Sequence, residues 1–429
     1  MAEAESSNQE DPAELTERIG AFSPFRYPIF RAIWIANLFS NLGATIQAVG
    51  AAWLMTSLTE SHQLIGLVQA SATVPIMLFG MIAGAIADNF DRRRVMLAAQ
   101  IGMLATSGVL ATLTYAGLIT PILLLAFTLT VGIGTALNSP AWQASVRQQV
   151  DRKELPQAIA LNSIAFNIAR SVGPALGGLL ISIWDVSLAF AVNACSYFAL
   201  IFVLLRWRPE ARQVARRPIF RAIGVGLRYC AGSSPLRRIL LRGLVVGFGL
   251  AGYQSMLPVV VRDRLHGSEI EFGMLLGLFG VGSIVAAPFI GQIRRRLKLE
   301  GIVTLGALIF VVVMSALAEL HSVVAALPFA FFAGTAWVAL LTSINTSVQM
   351  RSPDEILGRC LSIYQAITFG GMAVGSWAWG AVADVRDLEF ALHGASAFLV
   401  VSFLILRIVA PLPRPGEGMV QDWHGTSSR

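Results

Sequence analysis

The chain has 429 residues, of which 55% are apolar and 13% charged, with a mean hydropathy of +0.67 and a formal net charge of +7. A water-soluble domain of this length would not carry so much apolar surface, so the composition places the chain in a membrane. Apolar runs long enough for about 20 helical residues recur from end to end, and they lack the alternation of barrel strands, which leaves helices as the spanning elements.

Residues 1–28 read as a polar, acidic cytoplasmic tail that has none of the features of a cleaved signal peptide. Residues 29–205 contain six spans, centred near Gly43, Pro75, Ser107, Thr130, Ala169 and Ala194. A charged connector, 206–237, follows; Ile219, Ile223 and Leu227 recur in it at helical spacing among arginines, which predicts an amphipathic helix on the inner leaflet. Residues 238–410 contain six more spans, centred near Gly249, Gly280, Phe310, Phe332, Gly371 and Val400, and 411–429 form a second cytoplasmic tail. With both termini inside, all but five of the 32 Lys and Arg fall on cytoplasmic segments; Arg262, Arg264 and Arg386 are external, and Arg170 and Arg242 lie within helices. The positive-inside rule supports that orientation, and anionic lipid accounts for the net charge without nucleic acid.

Polar residues inside the spans are the candidates for function. In the first span Asn37, Ser40, Asn41, Ala44 and Gln47 form a stripe that should face a cavity or another helix. Tyr253 and Gln254 in the seventh span, Thr342, Asn345, Thr346 and Gln349 in the tenth, and Tyr364, Gln365 and Thr368 in the eleventh behave alike. At the end of the second span GAIADNFDRRR packs two acids and three arginines at a membrane edge. Gly84 lets a neighbouring helix approach, while Asp88 near a helix C-terminus is disfavoured by the dipole and needs a partner, such as another helix N-terminus or one of Arg92 to Arg94. The fifth span reads ARSVGPALGGLL, in which Gly173, Pro174, Gly177 and Gly178 suit close backbone packing and a bend. Arg170 falls near the middle of that span, on one face with Ser163 and Asn167. It is either a structural arginine bonded to carbonyls or a substrate-binding one.

The two halves repeat weakly: Gln47 maps onto Gln254, Gly66 onto Gly273 and Gly84 onto Gly291, and with a slightly smaller offset Glu154 maps onto Glu355. The same alignment sets Arg295 opposite Asp88, so the second half keeps the basic cluster without the acid.

The pattern Gly-x-x-x-Asp-x-x-x-Arg-Arg between second and third spans resembles the loop signature of the major facilitator superfamily, and AAWLMTSLTESHQLIGLVQASATVP leading into AGAIADNFDRRRVML resembles its branch of enterobactin-type siderophore exporters. The resemblance implies twelve transmembrane helices in two pseudo-symmetric six-helix halves, an all-α major facilitator fold. It implies a cytoplasmic gate in which Gly84 packs, Asp88 is the gate acid, and Arg92 and Arg93 are its basic partners. Asn89 and Asp91 depart from the pattern, Asp91 standing where glycine often makes the turn; aspartate tolerates left-handed backbone better than most residues. The glycine-proline run of the fifth span resembles the antiporter motif associated with exporters.

None of the 25 acids lies in the middle of a span, so a proton carrier is not obvious; Asp88, Glu319 and Asp384 near span ends are the available ones. The five histidines form no metal or nucleophile cluster, no phosphate-binding glycine loop precedes a helix, and Cys195, Cys230 and Cys360 read as inert thiols. No cofactor, metal or enzymatic activity is therefore expected. Thirty arginines against two lysines point to a GC-rich bacterial genome, hence a bacterial inner membrane. The reading is a monomeric secondary active exporter of a small organic solute, siderophore-like, drug-like or a metabolite, with protons as candidate coupling ion. An importer or facilitator of the same fold, a channel, or a non-transporting receptor are the alternatives.

Overall fold

The described residues form twelve long apolar helices and one shorter one, besides single turns of tighter or wider helix. The computed structural model describes residues 20–208, 219–353, 356–414 and 416–417, with the backbone alone at 81, 84, 85, 87, 88 and 219–222. Most of both expected tails and residues 209–218 of the connector lie outside the described residues. The first half comprises α1 (Pro28–Leu58), α2 (His62–Asn89), α3 (Arg92–Tyr115), α4 (Pro121–Ser145), α5 (Leu155–Ile183) and α6 (Val186–Arg206). The connector helix α7 (Ile219–Gly232) leads to α8 (Ser234–Val259), α9 (Glu269–Ala286), α10 (Ile290–Glu319), α11 (Val323–Gln349), α12 (Leu357–Val385) and α13 (Leu388–Val409).

Among the described residues eleven stretches are long and apolar enough to cross a membrane, and one of them, Glu269–Glu319, runs for 51 residues. It is two spans. Lys298 breaks it with φ 56° and ψ 179°, a backbone conformation costly for a residue with a Cβ, so α10 bends back at that point and its remainder is the ninth span. The corresponding break in the first half falls at Asp91, between α2 and α3.

Element starts give the internal repeat a physical basis. Helix α2 starts at His62 and α9 at Glu269, 207 residues on, while α5 starts at Leu155 and α12 at Leu357, 202 residues on. Equivalent helices make equivalent contacts. A Cβ on Gly66 of α2 would lie 2.4 Å from the Ser376 carbonyl of α12, and one on Gly273 of α9 would lie 2.6 Å from the Pro174 carbonyl of α5. Two seams, α2 with α12 and α5 with α9, therefore join the halves through backbone-to-backbone approach. Within each half the remaining helices pack around α1 and α3 or around α8 and α10.

The connector helix lies at the basic face, where the α2–α3 turn and the arginine-rich segments gather. Gly226 and Cys230 turn toward α12, Gly226 meeting Arg359 and Ile363, and the Tyr229 hydroxyl donates to the Arg351 carbonyl at 3.0 Å. Leu227 is exposed, so part of the predicted apolar stripe faces outward while α7 docks by its small residues.

Candidate substrate path and gate

The α2–α3 turn is built from helix ends. Asp91 has φ −61° and ψ 116° and caps α3, its carboxylate accepting from the Arg94 amide at 3.1 Å. The left-handed turn anticipated there is absent, because a capping aspartate ends one helix and starts the next with extended backbone. Arg92 Nη1 donates to the Ala144 carbonyl at 2.7 Å, at the end of α4. Arg93 donates from Nε and Nη2 to the carbonyls of Leu204 and Leu205, at 2.6 and 2.9 Å, at the end of α6. Both arginines thus satisfy open C-terminal carbonyls and tie three helix ends together. Gly84 and Asp88 lie in the last turns of α2, and their side chains are outside the described set.

The fifth-helix motif splits between two neighbours. A Cβ on Gly173 would fall 1.9 Å from Thr45 Oγ1 of α1, and Gly177 meets Val49 and Ile46 of the same helix. On the adjoining face Gly178 lies against the Glu269 carbonyl, 2.4 Å from where its Cβ would be. One run of small residues seats α5 against α1 in its own half and against α9 across the seam.

Arg170 sits one turn from that motif, at the level where Gly280 of α9 meets Ser171. Its guanidinium lies 5.3 Å from the ring centre of Phe279 on α9 and 5.5 Å from that of Trp337 on α11. A lone arginine at this depth costs about 2.5–3.5 kcal/mol, and a desolvated cation–π contact returns about 2 kcal/mol. With two rings, the return is of the same size as that cost. The carbonyl partners expected for a structural arginine do not occur among the described residues. On the basic side of Arg170, Ser163 and Phe166 are exposed and Asn167 is half-buried, donating to the Ser163 carbonyl at 2.8 Å.

Other candidates separate by placement. Gln47 is 5% exposed and turned into the first half, where its Oε1 accepts from Ser107 Oγ at 2.8 Å and from Asn193 Nδ2 at 2.7 Å. Asn193 also donates to the Tyr197 hydroxyl at 3.0 Å. Gln47 belongs to this α1–α3–α6 cluster and not to a cavity wall; the i, i+4 pair Asn193 and Tyr197 was the sequence signal that could have shown it. Tyr253 is likewise buried in its own half, stacked on Phe279 at 5.8 Å and edge-on to Phe310 at 5.6 Å. Tyr364 is buried, its hydroxyl 3.4 Å from the Leu341 carbonyl, and Asn37 is buried as well. Asn41, Gln254 and Asn345 are half-buried, Asn345 accepting from Gln349 at 2.5 Å, and Gln365 is exposed. Gln254 borders a cavity of about 70 Å³ shared with Ala48 and Ala52 of α1, Gln69 of α2 and Thr128 of α4.

The face opposite the arginines carries ties across the halves that composition did not reveal. Asp384, at the end of α12, accepts from Ser61 Oγ at 2.7 Å and from the amides of His62 and Gln63 at 2.6 and 3.1 Å, with His62 Nδ1 3.0 Å away. It caps α2, a helix of the other half. Arg262 donates to the Thr56 carbonyl of α1, a second tie across the halves, while within the second half Arg264 pairs with Glu389 and His393 contacts Glu319 at 3.0 Å. Near the basic face buried Arg242 pairs with Glu300 at 3.1 Å, and Glu300 also accepts from the Leu412 amide at 2.9 Å.

Twelve spanning helices in two related halves, joined at two seams, define a multi-pass membrane transporter of the major facilitator superfamily. The chain belongs to the family described as transmembrane secretion effector, whose model matches residues 19–423. It is 23% identical to the staphyloferrin A transporter of Staphylococcus aureus over 88% of this chain and 96% of that protein. It is 25% identical to the enterobactin exporter EntS of Escherichia coli, over 90% and 93%. Among solved structures it resembles a bacterial homologue of the human lysosomal transporter Spinster, inward-facing and occupied, with TM-score 0.71, 16% identity, and 89% and 97% coverage. It also resembles the nucleoside transporter NupG, with TM-score 0.72, 12% identity, and 89% and 99% coverage. These two likenesses concern the fold.

Proposed function

We propose that the chain is a secondary active exporter of a small, siderophore-like organic solute, working by alternating access with both termini in the cytoplasm. The observation that carries this reading is the pair of equivalent seams, Gly66 on Ser376 and Gly273 on Pro174, about which two rigid halves can rock. In this reading the basic face is cytoplasmic, the opposite face is closed by Asp384 and Arg262, and the substrate enters between the halves on the side where α5 exposes Ser163 and Phe166. Asn41, Asn167, Arg170, Gln254, Asn345 and Gln365 are the polar groups it meets. The relatives' names, a staphyloferrin A transporter and an enterobactin exporter, support the solute class and export.

Asp88 and the α2–α3 turn act as the cytoplasmic latch when the exporter reverses, and a proton is the coupling ion. Inside-out vesicles holding the protein, tested with a siderophore panel with and without a proton gradient, should accumulate a member of the panel saturably and only with the gradient. Accumulation that ignores the gradient would count against proton antiport, and non-saturating flux against alternating access. Asp88→Asn should lower the rate at least several-fold while the protein still inserts; a wild-type rate removes the latch role.

A further inference from the structure

Among the described residues Arg170 is a cation with a shelf but no counter-ion. Other arginines have carboxylate partners, among them Arg26 with Glu154, Arg238 with Glu417, Arg242 with Glu300, Arg262 with Asp263 and Arg264 with Glu389. Ring faces of Phe279 and Trp337 hold the guanidinium in place, yet they supply no oxygen for its five N–H donors. Arg170 itself is half-buried, and at the same level Ser171 Oγ is a buried polar atom without a hydrogen-bond partner.

The shelf is rigid. A Cβ on Gly334 of α11 would lie 1.8 Å from the Phe279 carbonyl, and one on Gly282 of α9 would lie 2.0 Å from the Phe331 carbonyl, so α9 and α11 are locked backbone to backbone. Behind Phe279 stands Tyr253, and Trp337 meets Phe279 edge-on at 5.9 Å. Phe279 and Trp337 therefore cannot swing away with Arg170, which comes from the other half on α5.

We propose that Arg170, seated on Phe279 and Trp337, is an anion-binding site for the transported solute, and that the site takes an organic oxyanion presenting two adjacent oxygens, a carboxylate or a catecholate. The planar fork of the guanidinium matches such an oxygen pair, and the low-dielectric surroundings favour a ligand that brings the missing negative charge. Because Arg170 belongs to one half and its shelf to the other, a bound anion touches both at the start of the α5–α9 seam. This inference rests on the transporter reading and specifies its substrate.

The test uses the full chain in lipid nanodiscs, titrated separately with 2,3-dihydroxybenzoate, citrate and neutral catechol. Tryptophan emission is recorded, and Trp337→Phe identifies the part of the signal from Trp337. Both anions should bind and change the Trp337 signal, and catechol should bind about tenfold more weakly or worse. Arg170→Gln should weaken both anions by about tenfold or more and leave catechol unchanged, while Arg170→Lys, which keeps charge without the fork, should fall between. Wild-type anion affinity in Arg170→Gln, or failure of both anions to bind the wild-type chain, overturns the proposal. Saturable vesicle efflux of neutral solutes alone would also overturn it and leave the exporter reading standing. Arg170-dependent anion binding without transport of any solute would do the reverse.

Discussion

At the scale of single residues, burial sorts polar groups into those that hold the halves together internally and those left for a solute. Gln47 and Asn193 are of the first kind: each has its partners in place, and removing one takes from the other's amide one of its hydrogen bonds in a helix interface. Asn193→Leu should destabilise the detergent-solubilised protein by about 0.6–1.7 kcal/mol, read as a lower unfolding temperature. A variant as stable as wild type would mean that the cluster contributes nothing. Glu417 lies near the basic face, paired with Arg238. Its carboxylate is held below the usual range by the Arg414 amide, against the opposing effect of desolvation, and by Arg238. A depressed carboxylate contributes stability that is present above its unfolded value and lost as pH falls through the folded one. Hydrogen-exchange protection of the Arg414 and Glu417 amides should therefore hold from pH 8 down to about 5 and decline below about 4. Protection that falls with rising pH would contradict this.

Elements carry the joints. The close backbone approaches at Gly66, Gly178 and Gly273 occur on α2, α5 and α9, and the polar cap at Asp384 fastens the start of α2 to the end of α12. Asp384→Ala removes a helix cap worth about 1 kcal/mol and unties the face, so a thiol probe at Ser61→Cys should label faster than in the parent. Equal labelling would show that the cap does not hold the face shut. Spans and repeat were legible in the sequence because hydropathy and the matched glycines Gly66 and Gly273 do not depend on neighbours. The direction of the polar stripes was not. Helical spacing puts Asn37, Asn41 and Gln47 on one broad side of α1, but Gln47 turns to Ser107 of α3 and Asn193 of α6 and Asn37 is also buried, leaving Asn41 with Ala44 and Ala48 more open. The same limit hid Phe279 and Trp337, whose apolar character says nothing about the cation that crosses from α5. It also hid the neighbouring thiols of Cys230 and Cys360, where the Cys360 hydrogen bond and burial push the Cys230 thiol upward.

Over the whole molecule, alternating access makes one mechanical demand: the α5–α9 seam must part and re-form in each transport cycle. Ala175 and Gly277 face each other there, with 3.6 Å between the Ala175 Cβ and the position of a Cβ on Gly277, a separation that a disulfide can span. The measurement is vesicle transport by Ala175→Cys/Gly277→Cys in a chain whose three native cysteines have been replaced. Oxidation should abolish transport and a reductant should restore it, with the single-cysteine variants indifferent to both; transport at an undiminished rate through a fully cross-linked seam would contradict alternating access about these joints.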